Sequence, residues 1–182
     1  MLGSIALVVV ALVLFLAVLV GTRPAAFRIE RSSLFEAPQT VVFPMVNDFH
    51  EWAEWSPWEK RDLGMKKIFD GPKEGVGAKY SWIGNKDVGE GRMTILDSDP
   101  PRRVAIKLEF LKPFAATNDT LFTFAPEASG TRVTWTMDGK NNFMAKAFSL
   151  FVDMDKMVGG DFEKGLAAMK ALAEARTRKS SS

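Results

Sequence analysis

The sequence predicts an α+β fold in which a curved antiparallel sheet of about seven strands wraps around a long C-terminal helix, preceded by one transmembrane helix. Three observations predict this fold. The first 22 positions carry no charged side chain, apolar residues alternate with period two through the middle of the chain, and they recur with a period near 3.6 after residue 142. Period two is typical of strands with one buried face, and period 3.6 of amphipathic helices.

The first 22 residues have the composition of a membrane-spanning helix. Residues 5–20 contain only Ala, Val, Leu, Ile and Phe, and the first charged residue is Arg23. A helix of this length spans roughly 33 Å, while the hydrocarbon core of a bilayer is about 30 Å thick. A cleaved signal peptide is the alternative, but no Lys or Arg precedes the apolar run and residues 24–26 form no A-x-A cleavage site. We therefore predict a retained anchor over residues 1–22.

The charges that flank the anchor predict its orientation. Arg23, Arg28 and Arg31 follow the apolar segment, and no basic residue precedes it. Because positive charge is retained on the cytoplasmic side of a membrane, we expect a single-pass membrane protein whose globular domain lies in the cytoplasm.

After a linker at residues 23–26, alternating segments predict the strands of one domain over residues 27–175. In chain order, the predicted strands are Phe27–Phe35, Ala78–Ile83, Arg92–Ser98, Arg103–Phe110, Asp119–Ala125 and Thr131–Met137. Short turns rich in Pro, Gly and Asp separate the later strands, which favours antiparallel hairpins between sequential neighbours.

Helical patterns occupy the remaining parts of the domain. Residues 38–47 predict a short helix, and residues 143–175 predict the long one, interrupted at Gly159-Gly160 with Asp161 as the N-cap of its second part. Residues 176–182 read as a flexible basic tail. A curved sheet wrapped around a single helix seldom fills the space between them, so we expect an internal cavity.

Several short motifs accompany this order of elements. They are Trp55-Ser56-Pro57-Trp58, Gly71-Pro72 with Gly75-Val76-Gly77-Ala78, Tyr80-Ser81-Trp82 with Gly84-Asn85, Gly130–Trp135 and Gly160–Leu166. With these motifs, residues 27–175 resemble the START-like helix-grip superfamily, also described as the polyketide cyclase/dehydrase and lipid transport family (SRPBCC). The resemblance implies a cavity that binds a hydrophobic small molecule or lipid. It implies no single activity, because the fold hosts lipid carriers, hormone receptors, aromatases and chaperone-associated domains.

Aromatic, aliphatic and methionine side chains on the predicted inner faces are the candidate wall of the cavity. They are Tyr80, Trp82, Ile106, Leu108, Phe110, Phe122, Phe124, Trp135, Met137, Phe162, Leu166 and Met169. Trp52, Trp55 and Trp58 recur every three residues and form a candidate rim, since tryptophan favours boundaries between apolar and wet surroundings. The alternative is that these three side chains pack inward and close one end of the core.

Composition excludes several kinds of chemistry. The chain has no cysteine and one histidine, His50, so thiolate catalysis, disulfides and Cys/His metal sites are excluded. No metal-ligand spacing or phosphate-binding loop occurs, and we predict no metal, no cofactor and no catalytic residue. A net charge of +2 without basic clustering predicts no nucleic-acid partner. Five side chains are acid or base candidates: His50 is expected to be a surface or packing residue, and Glu54, Glu59, Glu90 and Asp138 are expected to be solvated.

Three functions remain after these exclusions. The first is a membrane-tethered binding protein for a hydrophobic small molecule or lipid. The second is a protein-interaction or stress-related module at the membrane, whose protein partner the sequence does not identify. The third is an enzyme of the cyclase or dehydratase type. A closed pocket of a few hundred Å³ favours the first function, and a packed interior or a large apolar patch outside the cavity favours the second.

Overall fold

The structure is a computed structural model that describes residues 2–180, without the side chains of residues 2–4, 6 and 13. Its helices are α1 (Leu2–Thr22), α2 (Gln39–Val42), α3 (Pro44–Asn47), α4 (Trp52–Trp55), α5 (Phe143–Phe148) and α6 (Met154–Ser180). Its strands are β1 (Ala26–Phe35), β2 (Lys66–Asp70), β3 (Lys79–Ile83), β4 (Glu90–Asp99), β5 (Arg103–Lys112), β6 (Ala116–Glu127) and β7 (Gly130–Lys140).

The seven strands form one antiparallel sheet in the order β1-β7-β6-β5-β4-β3-β2. Sequential strands from β2 to β7 are neighbours, which confirms the predicted hairpins, and β1 closes the order by pairing with β7. Register shifts in the β4–β5 pair, between Glu90 and Gly91 and between Ile95 and Asp97, mark irregularities of the kind that bend a sheet.

Strand β2 is the one strand that the sequence did not predict. Apolar and polar residues do not alternate along Lys66–Asp70, and all five residues are exposed. It forms the free edge of the sheet, and its backbone pairing with β3 holds it in place.

Helix α6 is the long C-terminal helix that the sequence predicts. Its buried residues include Phe162, Leu166, Met169 and Ala173, which follow the helical period and form one stripe. The helix packs against β1 and the inner face of the sheet. The predicted arrangement of a curved sheet and a C-terminal helix is therefore confirmed.

The predicted interruption of the long helix is in the wrong place. Helix α6 continues through Gly159 and Gly160, and the break lies at residues 149–153 instead. At Gly159 the guanidinium group of Arg31 packs against the helix so closely that a Cβ there would displace it. Asp161 does not begin a helix; it is buried and accepts a hydrogen bond from Arg61 Nη2 at 2.7 Å.

Two other boundaries differ from the predicted ones. Residues 176–180, predicted as a flexible tail, continue α6, while residues 181–182 lie outside the described residues. The helix predicted over residues 38–47 is divided into α2 and α3, with Pro44 in the first turn of α3. Proline lacks the backbone N–H that a continuing helix needs, which explains the division.

Helix α1 contains 21 residues without a charge, and most of its described apolar side chains are exposed. Val20 is the exception; it is buried near the end of the helix, where α1 contacts α5. No helix within the described residues is found to be long and apolar enough to cross a membrane. The membrane anchor over residues 1–22 stays a prediction.

Candidate ligand-binding cavity

A cavity of about 90 Å³ lies between the inner face of the sheet, α6 and the chain around α4. Strands β3 to β7 and Phe162 of α6 contribute to its wall, and residues 52–65 cover it. Its lining residues are Trp52, Ser56, Trp58, Glu59, Met65, Tyr80, Trp82, Val88, Met93, Leu108, Phe110, Thr120, Trp135 and Phe162. Sites for drug-sized ligands usually measure about 300–1,000 Å³, so this cavity suits a smaller group.

Half of the predicted wall lines this cavity. Tyr80, Trp82, Leu108, Phe110, Trp135 and Phe162 lie on its surface. Ile106, Phe122, Phe124, Met137, Leu166 and Met169 are buried beside it in the core. The two sets differ in the residues that pack over them. Phe124, for example, packs edge-on against Phe43 beside α2, at 5.4 Å between ring centroids, and this contact fills the space over it. Ligand contact at the six lining residues stays a prediction.

Two of the three tryptophans predicted as a possible rim lie in the interior, and the third is half-buried. Helix α4 places Trp52 and Trp55 one turn apart, and both are buried. Trp52 and the half-buried Trp58 line the cavity, but Trp55 does not, because its Nε1 donates a hydrogen bond to the Met45 carbonyl oxygen at 2.9 Å in the core. Inward packing is therefore the correct alternative for Trp52 and Trp55.

One end of the cavity is formed by stacked aromatic rings. Trp135 of β7 and Phe162 of α6 lie parallel, with 4.0 Å between their ring centroids. Trp58 contacts both rings edge-on, at 5.8 Å from Trp135 and 6.4 Å from Phe162. These contacts lock the side chains in place, so this end of the cavity is preformed.

Glu59 supplies the one charged side chain of the lining. The sequence predicted a solvated carboxylate, but Glu59 is 8% exposed. Burial is tolerated because its carboxylate accepts a hydrogen bond from Tyr80 Oη at 2.6 Å and pairs with the ammonium group of Lys67. Burial, followed by the hydrogen bond to Glu59 and the charge of Glu59, raises the pKa of Tyr80. Tyr80 therefore remains neutral at physiological pH.

The other four acid or base candidates lie outside the cavity lining. Each has a partner elsewhere. His50 Nδ1 lies within hydrogen-bond distance of Asp48 Oδ1, at 2.7 Å, and Glu54 pairs with Arg176, Glu90 with Lys112 and Asp138 with Arg28. His50 also stacks on Phe69, with 4.1 Å between ring centroids. Within residues 2–180, no group of three or more Asp, Glu or His side chains is placed to hold a metal ion.

Sequence reasoning missed five of the lining residues altogether. Thr120 and Met93 lie on predicted strands, and their positions alternate in phase with the buried residues of β6 and β4. A prediction that included every inward-facing position, and not only those with large apolar side chains, would have identified both residues. Ser56, Met65 and Val88 lie in irregular segments without periodicity, and their place in the wall depends on the fold.

A second depression, of about 410 Å³, lies on the surface beside the β6–β7 turn. It is open to solvent and is formed by residues 36–39 and 126–131. Because this depression is open to solvent and its lining mixes polar and apolar surface, the smaller interior cavity is the stronger candidate for ligand binding.

The antiparallel sheet around one C-terminal helix, with an apolar cavity between them, defines a helix-grip fold. Residues 26–174 match the family model described as polyketide cyclase / dehydrase and lipid transport. The chain belongs to that family. None of the curated proteins compared with the chain matches it.

Several solved structures share the fold at low sequence identity. Protein CV1439 from Chromobacterium violaceum is 19% identical with a TM-score of 0.58, and the match covers 83% of this chain and 99% of that one. The di-domain ARO/CYC BexL from the BE-7585A biosynthetic pathway is 18% identical with a TM-score of 0.63, covering 86% and 52%. The di-domain ARO/CYC StfQ from the steffimycin biosynthetic pathway is 11% identical with a TM-score of 0.64, covering 84% and 52%.

Proposed function

We propose that the chain is a membrane-tethered protein that binds a hydrophobic small molecule, or one apolar part of a lipid, in the interior cavity. The observation that carries the proposal is the lining itself, in which aromatic, aliphatic and methionine side chains surround enclosed space. Apolar groups bind there because their transfer from water is favourable. The family description, which names both cyclases and lipid transport, supports the same class of ligand.

The size of the cavity limits what it accepts without rearrangement. A volume of about 90 Å³ suits a single ring or a short apolar segment. Met65 and Met93 contribute to the wall, and methionine side chains adapt readily to the shape of a ligand. Larger ligands would require these two side chains to move.

Membrane attachment through residues 1–22 is the second part of the proposal. The whole segment is uncharged, and the described apolar side chains of α1, such as Leu7 and Phe15, are exposed rather than packed on the domain. Exposed apolar side chains along a helix are stabilised when lipid surrounds them. Arg23, Arg28 and Arg31 support a cytoplasmic domain.

Ligand binding is tested with fluorobenzene, a one-ring apolar probe, by fluorine NMR on the full-length protein in lipid nanodiscs. Leu108 lines the cavity and Lys107 lies beside it on the outer face of β5. We expect saturable binding to the wild type and to Lys107→Trp, and its loss in Leu108→Trp, which fills the cavity. Equal signals from wild type and Leu108→Trp would mean partition into lipid alone and would contradict the proposal.

Membrane attachment is tested by washing cell membranes at alkaline pH. The full-length protein should remain with the membranes, and the double variant Val10→Lys/Leu14→Lys should be released because two charges in the apolar segment oppose insertion. The mass of the intact protein should include residue 2, as expected if the segment is not cleaved. An impermeant lysine reagent should leave the domain unlabelled in intact cells, as expected if the domain lies in the cytoplasm. A mature chain that begins near residue 26 would contradict the anchor.

An exposed apolar patch favours a second candidate function, the interaction module. Phe143, Met144, Phe148, Phe151 and Met157 lie in or beside α5 and the start of α6, and each is about half exposed or more. Soluble surfaces rarely gather so many large apolar side chains in one stretch unless a partner or membrane covers them. A photo-crosslinking residue in place of Phe151 should then join a protein that the same residue in place of Leu63, exposed outside the patch, does not join. Crosslinks to lipid alone would contradict this candidate.

A further inference from the structure

Two buried polar atoms of the cavity-lining residues have no hydrogen-bond partner. They are Nε1 of Trp135, whose residue is 2% exposed, and Oγ1 of Thr120, whose residue is 6% exposed. The other buried tryptophans satisfy their N–H groups on backbone carbonyl oxygens: Trp52 on Val46, Trp55 on Met45 and Trp82 on Val88. Trp135 is therefore an exception among the buried tryptophans of the described chain.

The two unpaired atoms belong to neighbouring positions on one face of the sheet. Thr120 pairs with Met137 across β6 and β7, and Phe122 pairs with Trp135. Thr120 and Trp135 are thus diagonal neighbours, and Cα atoms in that relation lie roughly 7–8 Å apart. Both residues are buried, as are the alternate residues that mark the inner face of each strand. Both residues line the same cavity.

The surroundings of Trp135 offer no protein acceptor. Its indole ring contacts the rings of Phe162, Trp58 and Phe122. A buried N–H group left without an acceptor destabilises the protein, because the hydrogen bond it makes to water in the unfolded chain is lost. The indole N–H can only donate, so the missing partner is an acceptor, whereas the threonine hydroxyl donates or accepts.

Given the proposed function, on which this step rests, we infer that the cavity takes a compact, uncharged aromatic ligand with a carbonyl oxygen that accepts hydrogen bonds from Trp135 Nε1 and Thr120 Oγ1. The aromatic walls favour a ring, and the volume of about 90 Å³ favours a small one. An anionic ligand is disfavoured because Glu59 is the charged group of the lining, and Lys67, which contacts Glu59, is already paired with it.

Matched probes separate the carbonyl from the rest of the ligand. Acetophenone and α-methylstyrene have the same planar shape, but the second has a CH₂ group where the first has the carbonyl oxygen. Both are titrated into the full-length protein in lipid nanodiscs while the indole N–H resonances are followed by NMR. Because every tryptophan gives its own signal, the Trp135 signal is assigned by its disappearance in Trp135→Phe.

We expect acetophenone to bind about tenfold more tightly than α-methylstyrene, the factor expected of roughly one net hydrogen bond. The Trp135 indole proton should shift downfield with acetophenone only. Thr120→Val keeps the shape of the side chain and should reduce the preference several-fold. Thr123→Val is the matched control, because Thr123 lies on the same strand with its side chain on the outer face, and it should leave the preference unchanged.

The outcomes distinguish this inference from the proposed function. Equal binding of the two probes without a shift at Trp135 would overturn the carbonyl inference and leave apolar binding intact. A preference for acetophenone that survives both Thr120→Val and Trp135→Phe would also overturn it, because the oxygen would then bind elsewhere. No binding of either probe, together with no binding of fluorobenzene, would overturn the proposed function as well.

Discussion

The sheet has two differently covered halves. Over β1, β7 and β6, helix α6 and the short helix α2 close the inner face, and residues such as Phe35, Val133 and Met169 have no exposed surface. Over β3, β4 and β5, the irregular chain at residues 56–65 provides much of the cover, and five of the seven strand residues that line the cavity lie there; Thr120 of β6 and Trp135 of β7 complete its wall. We call these the helix-covered half and the loop-covered half.

This difference in cover explains where the internal cavity forms in this fold. A helix presents a regular surface whose side chains fill the grooves of a sheet, whereas an irregular segment must satisfy its backbone polar groups and cannot approach as closely. In the loop-covered half, Met65, Trp82 and Phe110 keep some exposed surface. Stability should therefore be concentrated in the helix-covered half, and most of the ligand-contacting surface should belong to the loop-covered half.

The largest expected effect contrasts one phenylalanine from each half. Phe124 is buried beside α2, and Phe110 is half-buried at the cavity. Phe124→Ala should lower the free energy of unfolding by about 3–5 kcal/mol, because it leaves a void in packed surroundings. Phe110→Ala should cost roughly half as much, because its ring already borders empty space. Denaturant unfolding of the full-length protein measures both, and equal losses would show that the two halves are packed alike.

Prediction from the sequence succeeded where a residue's environment follows from its own strand. Phe122 and Phe124 belong to an alternating run, so their burial was predictable, and the order of the strands from β3 to β7 followed from the short turns. The sequence could not distinguish Phe124 in the core from Phe110 at the cavity, since both lie on inward positions. Phe43 packs over Phe124, whereas residues 56–65 cover the cavity at Phe110. Both covering segments are distant along the chain from the phenylalanine that they cover.

The same reason explains the buried carboxylate that was predicted to be solvated. Glu59 lies in an irregular segment, and nothing nearby in the sequence supplies a partner. Its partners are Tyr80 on β3 and Lys67 on β2, an exposed strand without a recognisable pattern. A buried charge that is paired only through tertiary contacts cannot be predicted before the sheet is assembled.

A smaller loss of stability is expected when Glu59, which lies in the loop-covered half, is replaced by an uncharged residue. Glu59→Gln leaves Lys67 without a carboxylate and weakens the hydrogen bond from Tyr80. We expect a loss of about 1–3 kcal/mol in the free energy of unfolding. Glu54→Gln is the matched control, because Glu54 pairs with Arg176 at the surface, and it should cost less than about 1 kcal/mol. Similar values for the two variants would place Glu59 in water and contradict its role in the cavity wall.

The smallest effect is expected on the outer face of β5, which is the face of the loop-covered half that points away from the cavity. On the outer face, Arg92 and Lys107 hydrogen-bond and pair with Glu109, and they lower the pKa of its carboxyl to about 2 from an ordinary value of 4.5. Because the folded pKa is depressed, this stabilisation is present above about pH 4.5 and is lost as the pH falls towards 2. The urea midpoint of wild type should exceed that of Glu109→Gln by a few tenths molar at pH 6, and the gap should close near pH 2. A gap that stays constant over this pH range would mean that Glu109 contributes through packing rather than charge, and the outer face of β5 would then resemble the inner one.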